Sequence, residues 1–219
     1  MNFPDLELNL IGVCELIETL RGPEGCPWDI EQTPNSLTKH LIEECYELVE
    51  AIENNDLENI EEEIGDLLLN LSYQIVFLKE KNYSNEEALI KKLFFKIHTR
   101  HPHVFADLKL NDSAAVEKNW QKIKNKANKN NTNNIPKHLP SLILAQKVQK
   151  KYSKLNNESS TIDSLSNMRN IMNNQKMLNS DMVGEILFEL SNYARLNKID
   201  SEKSLKKFIN DYMDQTNEK

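Results

Sequence analysis

Residues 36–81 read SLTKHLIEECYELVEAIENNDLENIEEEIGDLLLNLSYQIVFLKEK, and the apolar spacing in this stretch decides the fold. Leu37, Leu41, Cys45, Leu48 and Ile52 recur every three or four residues, the period of an amphipathic helix running from about Ser36 to Asn54. Asn54-Asn55-Asp56 makes a turn. A longer helix over about 57–81 carries Ile60, Ile64, Leu67, Leu68, Leu71, Ile75 and Leu78 on the stripe expected to be buried. Two long helices joined by so short a turn are antiparallel neighbours, so the stretch is a helical hairpin.

The same hairpin carries an unusual charge pattern. Between residues 43 and 66 there are 11 carboxylates and no Lys or Arg. Glu44 and Glu47 are three apart on the first helix, and Glu63 and Asp66 are three apart on the second, so each pair projects from neighbouring turns of one face. Fifteen residues separate Glu47 from Glu63, enough for the antiparallel turn that brings the pairs face to face. The plain reading is a solvated acidic face, which usually interleaves both signs. The chemical reading is that four carboxylates share one cleft. They then raise one another's pKa values unless a divalent cation compensates them. All-oxygen ligands select hard ions, Mg²⁺ or Mn²⁺, and Mg²⁺ sites of this kind commonly include substrate phosphates.

Outward from the hairpin, a first helix is expected near residues 5–20, followed by a loop from Arg21 to Pro34, where Gly22, Pro23, Gly25 and Pro27 crowd together. Ser84 with Glu87 has capping-box spacing and opens a fourth helix. His101-Pro102-His103 breaks that helix, and Asp112 or Ser113 caps a fifth containing Val116, Trp120 and Ile123. Lys129 to Asn134 is a polar, Asn-rich run that reads as a linker. The expected units are therefore residues 1–130 and 136–219, with 131–135 between them. Helices are expected at 141–154, 163–173, 181–196 and 201–213. Ile64-Gly65-Asp66-Leu67-Leu68 has an echo in Val183-Gly184-Glu185-Ile186-Leu187, which suggests an old duplication. Close helix approach is the expected reason for a mid-helix glycine in both places.

Composition agrees with an all-α fold. The 219 residues hold 5 Gly and 7 Pro, few of the turns an all-β fold consumes, and 39% of them are hydrophobic, enough to bury a core. A net charge of −7 argues against a general nucleic-acid footprint, and it divides unevenly: −10 over residues 1–130 and +3 over 131–219. The first residues have no basic-then-apolar leader pattern, and no apolar run approaches a membrane span. Cys14, Cys26 and Cys45 show neither disulfide nor zinc spacing. A cytoplasmic, reduced protein is expected, with no membrane or nucleic-acid partner.

Taken in order, Leu20-Arg21-Gly22-Pro23-Glu24-Gly25-Cys26-Pro27-Trp28-Asp29, Gln32-Thr33, Glu43-Glu44-Cys45-Tyr46-Glu47, Glu63-Ile64-Gly65-Asp66-Leu67-Leu68 and Arg100-His101-Pro102-His103-Val104-Phe105 resemble the MazG family of nucleoside triphosphate pyrophosphohydrolases. The resemblance covers about residues 6–130 well and 136–213 weakly. It implies a dimerising all-α fold and hydrolysis of an NTP between its α and β phosphates to NMP and pyrophosphate. It further implies Mg²⁺ (Mn²⁺ as a substitute) on Glu44, Glu47, Glu63 and Asp66, with Glu43 and Glu44 catalytic. Lys96, Arg100, Trp120 and Lys124 match the family's substrate-binding positions. His101 and His103 are expected to pack the loop rather than bind metal.

The second half departs from the family pattern. Its E-x-x-D equivalent is Met182-Val183-Gly184-Glu185, the helix expected to hold E-E-x-x-E has Asp163 as its carboxylate, and Asp211 and Gln215 stand at the K-x-x-x-R positions. A degenerate second unit, serving packing or dimerisation, is the expectation. The alternative to an enzyme is a non-catalytic helical interaction or regulatory protein that retains the fold.

Overall fold

The computed structural model describes residues 7–127, 135–152, 161–173 and 177–217. Among these residues there is no strand, and the elements are α1 (Leu10–Leu20), α2 (Pro27–Glu31), α3 (Thr38–Asn54), α4 (Leu57–Glu80), α5 (Glu86–Arg100), α6 (Pro102–Phe105), α7 (Ser113–Ala127), α8 (Ser141–Tyr152), α9 (Thr161–Asn173), α10 (Ser180–Leu196) and α11 (Ser201–Asn217). The fold is all-α, as the periodicity requires. The chain divides into two compact units, Met1–Ala127 and Asn128–Lys219. The Asn-rich run at Lys129 to Asn134 lies outside the described residues.

Caps place the helix ends. Asn9 accepts a hydrogen bond from the Gly12 amide, so α1 starts at Leu10 rather than near residue 5. Asn55 closes α3 in the left-handed conformation (φ 55°), and Asp56 accepts from the Asn59 amide to open α4. The fourth helix is capped by Asn85, which accepts from the Ala88 amide, and not by Ser84. That one-residue shift puts Glu86 at the first helical position, where it meets Lys79 at 3.1 Å. Asp112, not Ser113, accepts from the Ala115 amide and caps α7.

The stretch from Arg21 to Pro34, expected to be a loop, contains the short helix α2, started by Pro27, whose fixed φ suits a first helical turn. Backbone at Gly25 passes so close to Leu20 that a Cβ there would lie 2.1 Å from the Leu20 carbonyl oxygen. The segment is then pinned to α4. Arg21 donates to the backbone oxygens of Asp29 (2.5 Å) and Gln32 (3.0 Å), pairs with Glu80 at 2.7 Å, and lies 4.6 Å from the centre of the Phe77 ring. The Tyr73 hydroxyl donates to buried Asp29. Burial, then the bond to Asp29 and the charge of Asp29, hold the Tyr73 hydroxyl well above its ordinary pKa, so it stays a donor.

In the first unit the core gathers Cys14 and Ile17 of α1, Leu37, and Tyr73, Ile75, Val76 and Phe77 of α4, with Leu10, Val13 and Leu89 packed around it. It therefore sits at the second half of α4. The stripe predicted to be buried is fully covered only there: Leu41 and Leu48 on α3 and Ile60 and Leu67 on α4 are half-buried, and Ile64, Leu68 and Leu71 on α4, with Cys45 and Ile52 on α3, are exposed. A lone hairpin covers one side of each helix, and these helices are apolar on more than one.

In the second unit, α10 packs on α9 and α8 much as α4 packs on α3 and α1. The echo extends beyond the glycines. Ser72 and Ser191 are both fully buried, and each donates to a carbonyl four residues earlier, Leu68 and Leu187, at 2.8 Å. Close helix approach does not explain the paired glycines, however, since a Cβ at Gly65 or Gly184 would meet nothing within 4 Å.

Replacing Tyr73 with Phe removes the donor from buried Asp29 and should destabilise the protein by about 1–3 kcal/mol, read as a lower urea midpoint with unchanged helical content.

Candidate functional site

The α3–α4 hairpin brings three of the four expected ligand carboxylates together. One oxygen each from Glu44, Glu63 and Asp66 lies within 4.8 Å of the others. Glu44 and Glu63 are half-buried and Asp66 is exposed. Glu47 is exposed and outside this trio, although its charge acts on both glutamates. The hairpin explains the meeting. Glu44 lies ten residues before the end of α3 and Glu63 six residues after the start of α4, so the two helices run back to comparable heights.

Electrostatics at this point are strained. Burial raises the Glu44 pKa first, followed by repulsion from Asp66, Glu47 and Glu63. Burial likewise leads at Glu63, followed by Glu47, Asp66 and Glu62. The hydrogen bond between Glu44 and Glu63 favours the protonated form of Glu44 and the ionised form of Glu63. The Glu63 Oε2 atom is buried with no hydrogen-bond partner. Three converging carboxylates, one of which keeps a buried, unpartnered oxygen, offer the donor set a hard cation needs, so the residues fit a divalent metal with oxygen ligands. Among the described residues no other group of three such side chains converges in this way.

Glu43 is turned elsewhere. Lys39 and His40, one turn earlier on α3, approach its carboxylate at 3.2 and 3.4 Å. The sequence reading missed these neighbours, although their i,i+4 and i,i+3 spacing signals them. It also missed Asn70, whose side-chain amide donates to the Asp66 backbone oxygen at 3.1 Å.

The expected substrate residues form a second group, on α5 and α7. The guanidinium of Arg100 lies 5.1 Å from the centre of the Trp120 ring, and the Lys124 ammonium 5.0 Å from it. Lys96 is exposed one turn before Arg100. Among the described residues, no ion pair joins these cations to the carboxylates of the hairpin. His101 Nδ1 donates to the Ile97 carbonyl (2.7 Å), and its ring lies 5.6 Å from that of His103, in keeping with loop packing.

An all-α hairpin that concentrates carboxylates, together with a Trp flanked by two cations on α5 and α7, defines a protein of the helical nucleotide-hydrolase type. Known proteins specify it further. The MazG nucleotide pyrophosphohydrolase domain matches residues 32–105. The nucleoside triphosphate pyrophosphohydrolase/pyrophosphatase MazG of Thermotoga maritima is 31% identical over 88% of this chain and 78% of its own length. The nucleoside triphosphate pyrophosphohydrolase of Escherichia coli K12 is 31% identical over 82% and 75%. YabN of Bacillus subtilis, uncharacterized, is 44% identical over 62% of this chain but only 28% of its own length. The chain belongs to the MazG family of nucleotide pyrophosphohydrolases. No helix among the described residues is long and apolar enough to cross a membrane.

The raised carboxyl pKa values fix a sign. A group that binds its proton more tightly folded than unfolded makes stability fall as pH rises from the unfolded carboxylate range (about 4.3) through the higher folded value. Metal-free protein should therefore melt at a lower temperature at pH 7 than at pH 5 on this account. Added Mg²⁺ should raise the melting temperature more at pH 7, as followed by circular dichroism.

Proposed function

We propose that this chain hydrolyses nucleoside triphosphates between the α and β phosphates, taking up one water and releasing NMP, pyrophosphate and a proton. The observation that carries the reading is the convergence of Glu44, Glu63 and Asp66, together with the buried, unpartnered Glu63 Oε2. Glu44, Glu63 and Asp66, with Glu47 at the rim, would hold Mg²⁺, or Mn²⁺ in its place. When bound, the cation supplies charge neutralisation and Lewis acidity toward the phosphates and the attacking water.

The protein's own residues position the rest. Arg100 and Lys124 are already placed around Trp120, so phosphate oxygens meet cations and the indole offers its ring to the nucleoside. Lys96 adds a charge one turn along α5. Glu44 or Glu43 takes the water's proton. Glu43 reaches the water by leaving exposed pairs with Lys39 and His40, which are worth at most about 1 kcal/mol. Catalysis in such a site is positioning and charge neutralisation. The second unit, with Met182 where an acid is needed, holds no equivalent site and serves packing.

The exposed apolar face of the hairpin and of α5 is assigned to a second copy of the chain, giving a homodimer. Ile42 and Tyr46 of α3, Leu68 of α4, and Phe94 and Phe95 of α5, the last two 71% and 72% exposed, make up this face. A cytoplasmic setting fits the three unpaired cysteines.

Purified protein should release pyrophosphate from NTPs only with Mg²⁺ or Mn²⁺. Glu44→Ala or Asp66→Ala should lower that rate about 100-fold or more, the scale of losing one charge-stabilising group, without loss of helix. Nucleotide binding with no pyrophosphate released from any NTP or dNTP would replace the enzyme by a binding protein. Sedimentation should give a dimer, and Phe94→Asp with Phe95→Asp should shift it toward monomer.

A further inference from the structure

An open cavity of about 350 Å³ lies wholly within the second unit, between α8, the end of α10 and the turn into α11. Four of its eight lining residues are basic: Lys147 and Lys150 one turn apart on α8, Arg195 in the last turn of α10, and Lys198 just beyond it. Asp200 is the one carboxylate in the lining, and its Oδ1 accepts from the Lys203 amide at the start of α11.

The cavity is built rather than a chance gap between flexible lysines. The Gln146 side-chain amide donates to the Ile199 backbone oxygen at 3.0 Å and the Ser191 backbone oxygen at 3.3 Å, fastening α8 to both α10 and its following turn. Lys198 takes a left-handed backbone conformation (φ 61°), and the Ile199 amide returns to the Ala194 carbonyl at 2.8 Å, which fixes the turn. The Arg195 guanidinium donates twice to Asn192 Oδ1, at 3.1 and 2.8 Å, and buried Asn192 itself donates to the Ser164 hydroxyl. Three further guanidinium N–H groups face no such duty and suit an anion. Ile143 and Ile199 supply apolar surface on the same wall.

The corresponding corner of the first unit has the opposite balance. The 119-residue offset that relates Gly65 to Gly184 and Ser72 to Ser191 sets Lys79 against Lys198. Lys79 is flanked by Glu18 at 2.6 Å and Glu86 at 3.1 Å. Where the first unit surrounds its lysine with acids, the second surrounds its lysine with cations. This accounts for the +3 balance of the second half as a located feature rather than a residue of lost acids.

We propose that this pocket binds a multiply phosphorylated small anion, either free pyrophosphate or the polyphosphate of a nucleotide, without a divalent metal. Its volume falls at the lower end of the small-ligand range of about 300–1,000 Å³, and its concave form differs from the extended basic stripe that nucleic acid needs. Guanidinium and ammonium groups clustered at this density recognise phosphate oxygens directly. The site lies within the second unit and does not depend on catalysis at the hairpin.

Titration calorimetry on the full chain in EDTA tests it, with pyrophosphate and α,β-methylene-ATP as ligands. Binding should weaken about tenfold in Lys147→Glu/Lys198→Glu, and survive in Lys96→Ala/Arg100→Ala. Equal affinities assign recognition to phosphate alone, and tighter nucleotide binding adds the apolar wall. Both outcomes support the pocket. Lys147→Met/Lys198→Met, checked by its melting curve, covers the case in which charge reversal disturbs folding. No binding in EDTA, loss only in the α5 variant, or binding of a short DNA duplex in preference to both ligands would overturn the proposal.

Discussion

The mutual repulsion of Glu44, Glu63 and Asp66 is the constraint on which the first unit depends. Three carboxylates within one small space push a helical hairpin apart, and burial of two of them makes the charge harder to bear. The hairpin closes because the opposing term acts elsewhere on the same helix. α4 is 24 residues long; its first half bears the acids, and in its second half Asn70, Ser72, Tyr73, Ile75, Val76 and Phe77 are buried, with Tyr73, Ile75, Val76 and Phe77 clustered with Cys14, Ile17 and Leu37. A rigid helix transmits that anchorage to the acidic end. The tie from Tyr73 to Asp29, and from Arg21 to Glu80 and the backbone of the 21–34 segment, adds polar bonds at the anchored half.

This division of labour bears on function. A site proposed to take a cation and a polyphosphate has to be charged and partly open before either arrives, so it is not also the unit's source of stability. The exposed apolar residues on the hairpin and on α5 fit the same logic, since the unit's own core covers only part of them. The second unit repeats the arrangement of helices, with Ser191 in place of Ser72 and Gly184 in place of Gly65, while Met182 stands where the first unit has Glu63. Its charge has moved to a different corner, where α8 and the end of α10 present cations around a cavity.

Much of this was legible in the sequence because the features are local. Helical period, the Asn55-Asp56 turn and the i,i+3 carboxylate pairs all depend on residues within one or two turns, and the structure keeps each of them. Errors came where local signals compete or where a distant partner decides. Ser84 and Asn85 are both good caps, and the choice fell to Asn85 with Glu86 beside Lys79. The 21–34 segment is rich in glycine and proline, so it read as loop, yet Pro27 starts a helix that Arg21 and Tyr73 hold against α4. The mid-helix glycines were expected to mark close packing, and open space surrounds both.

The sequence by itself determined the all-α class, the hairpin, the acidic character of its facing surfaces and the family, because each is carried by short-range spacing and by residue types in order. Only the tertiary structure decided that Glu44, Glu63 and Asp66 converge while Glu47 stays at the rim, that Glu43 turns to Lys39 and His40, and that Arg100 and Lys124 gather on Trp120. It alone showed that four basic residues far apart in the second half share one cavity. The reason is geometric. Helical spacing says which side of a helix a residue occupies, whereas convergence depends on the rotation and height of two packed helices, which many weak contacts along their whole length set together.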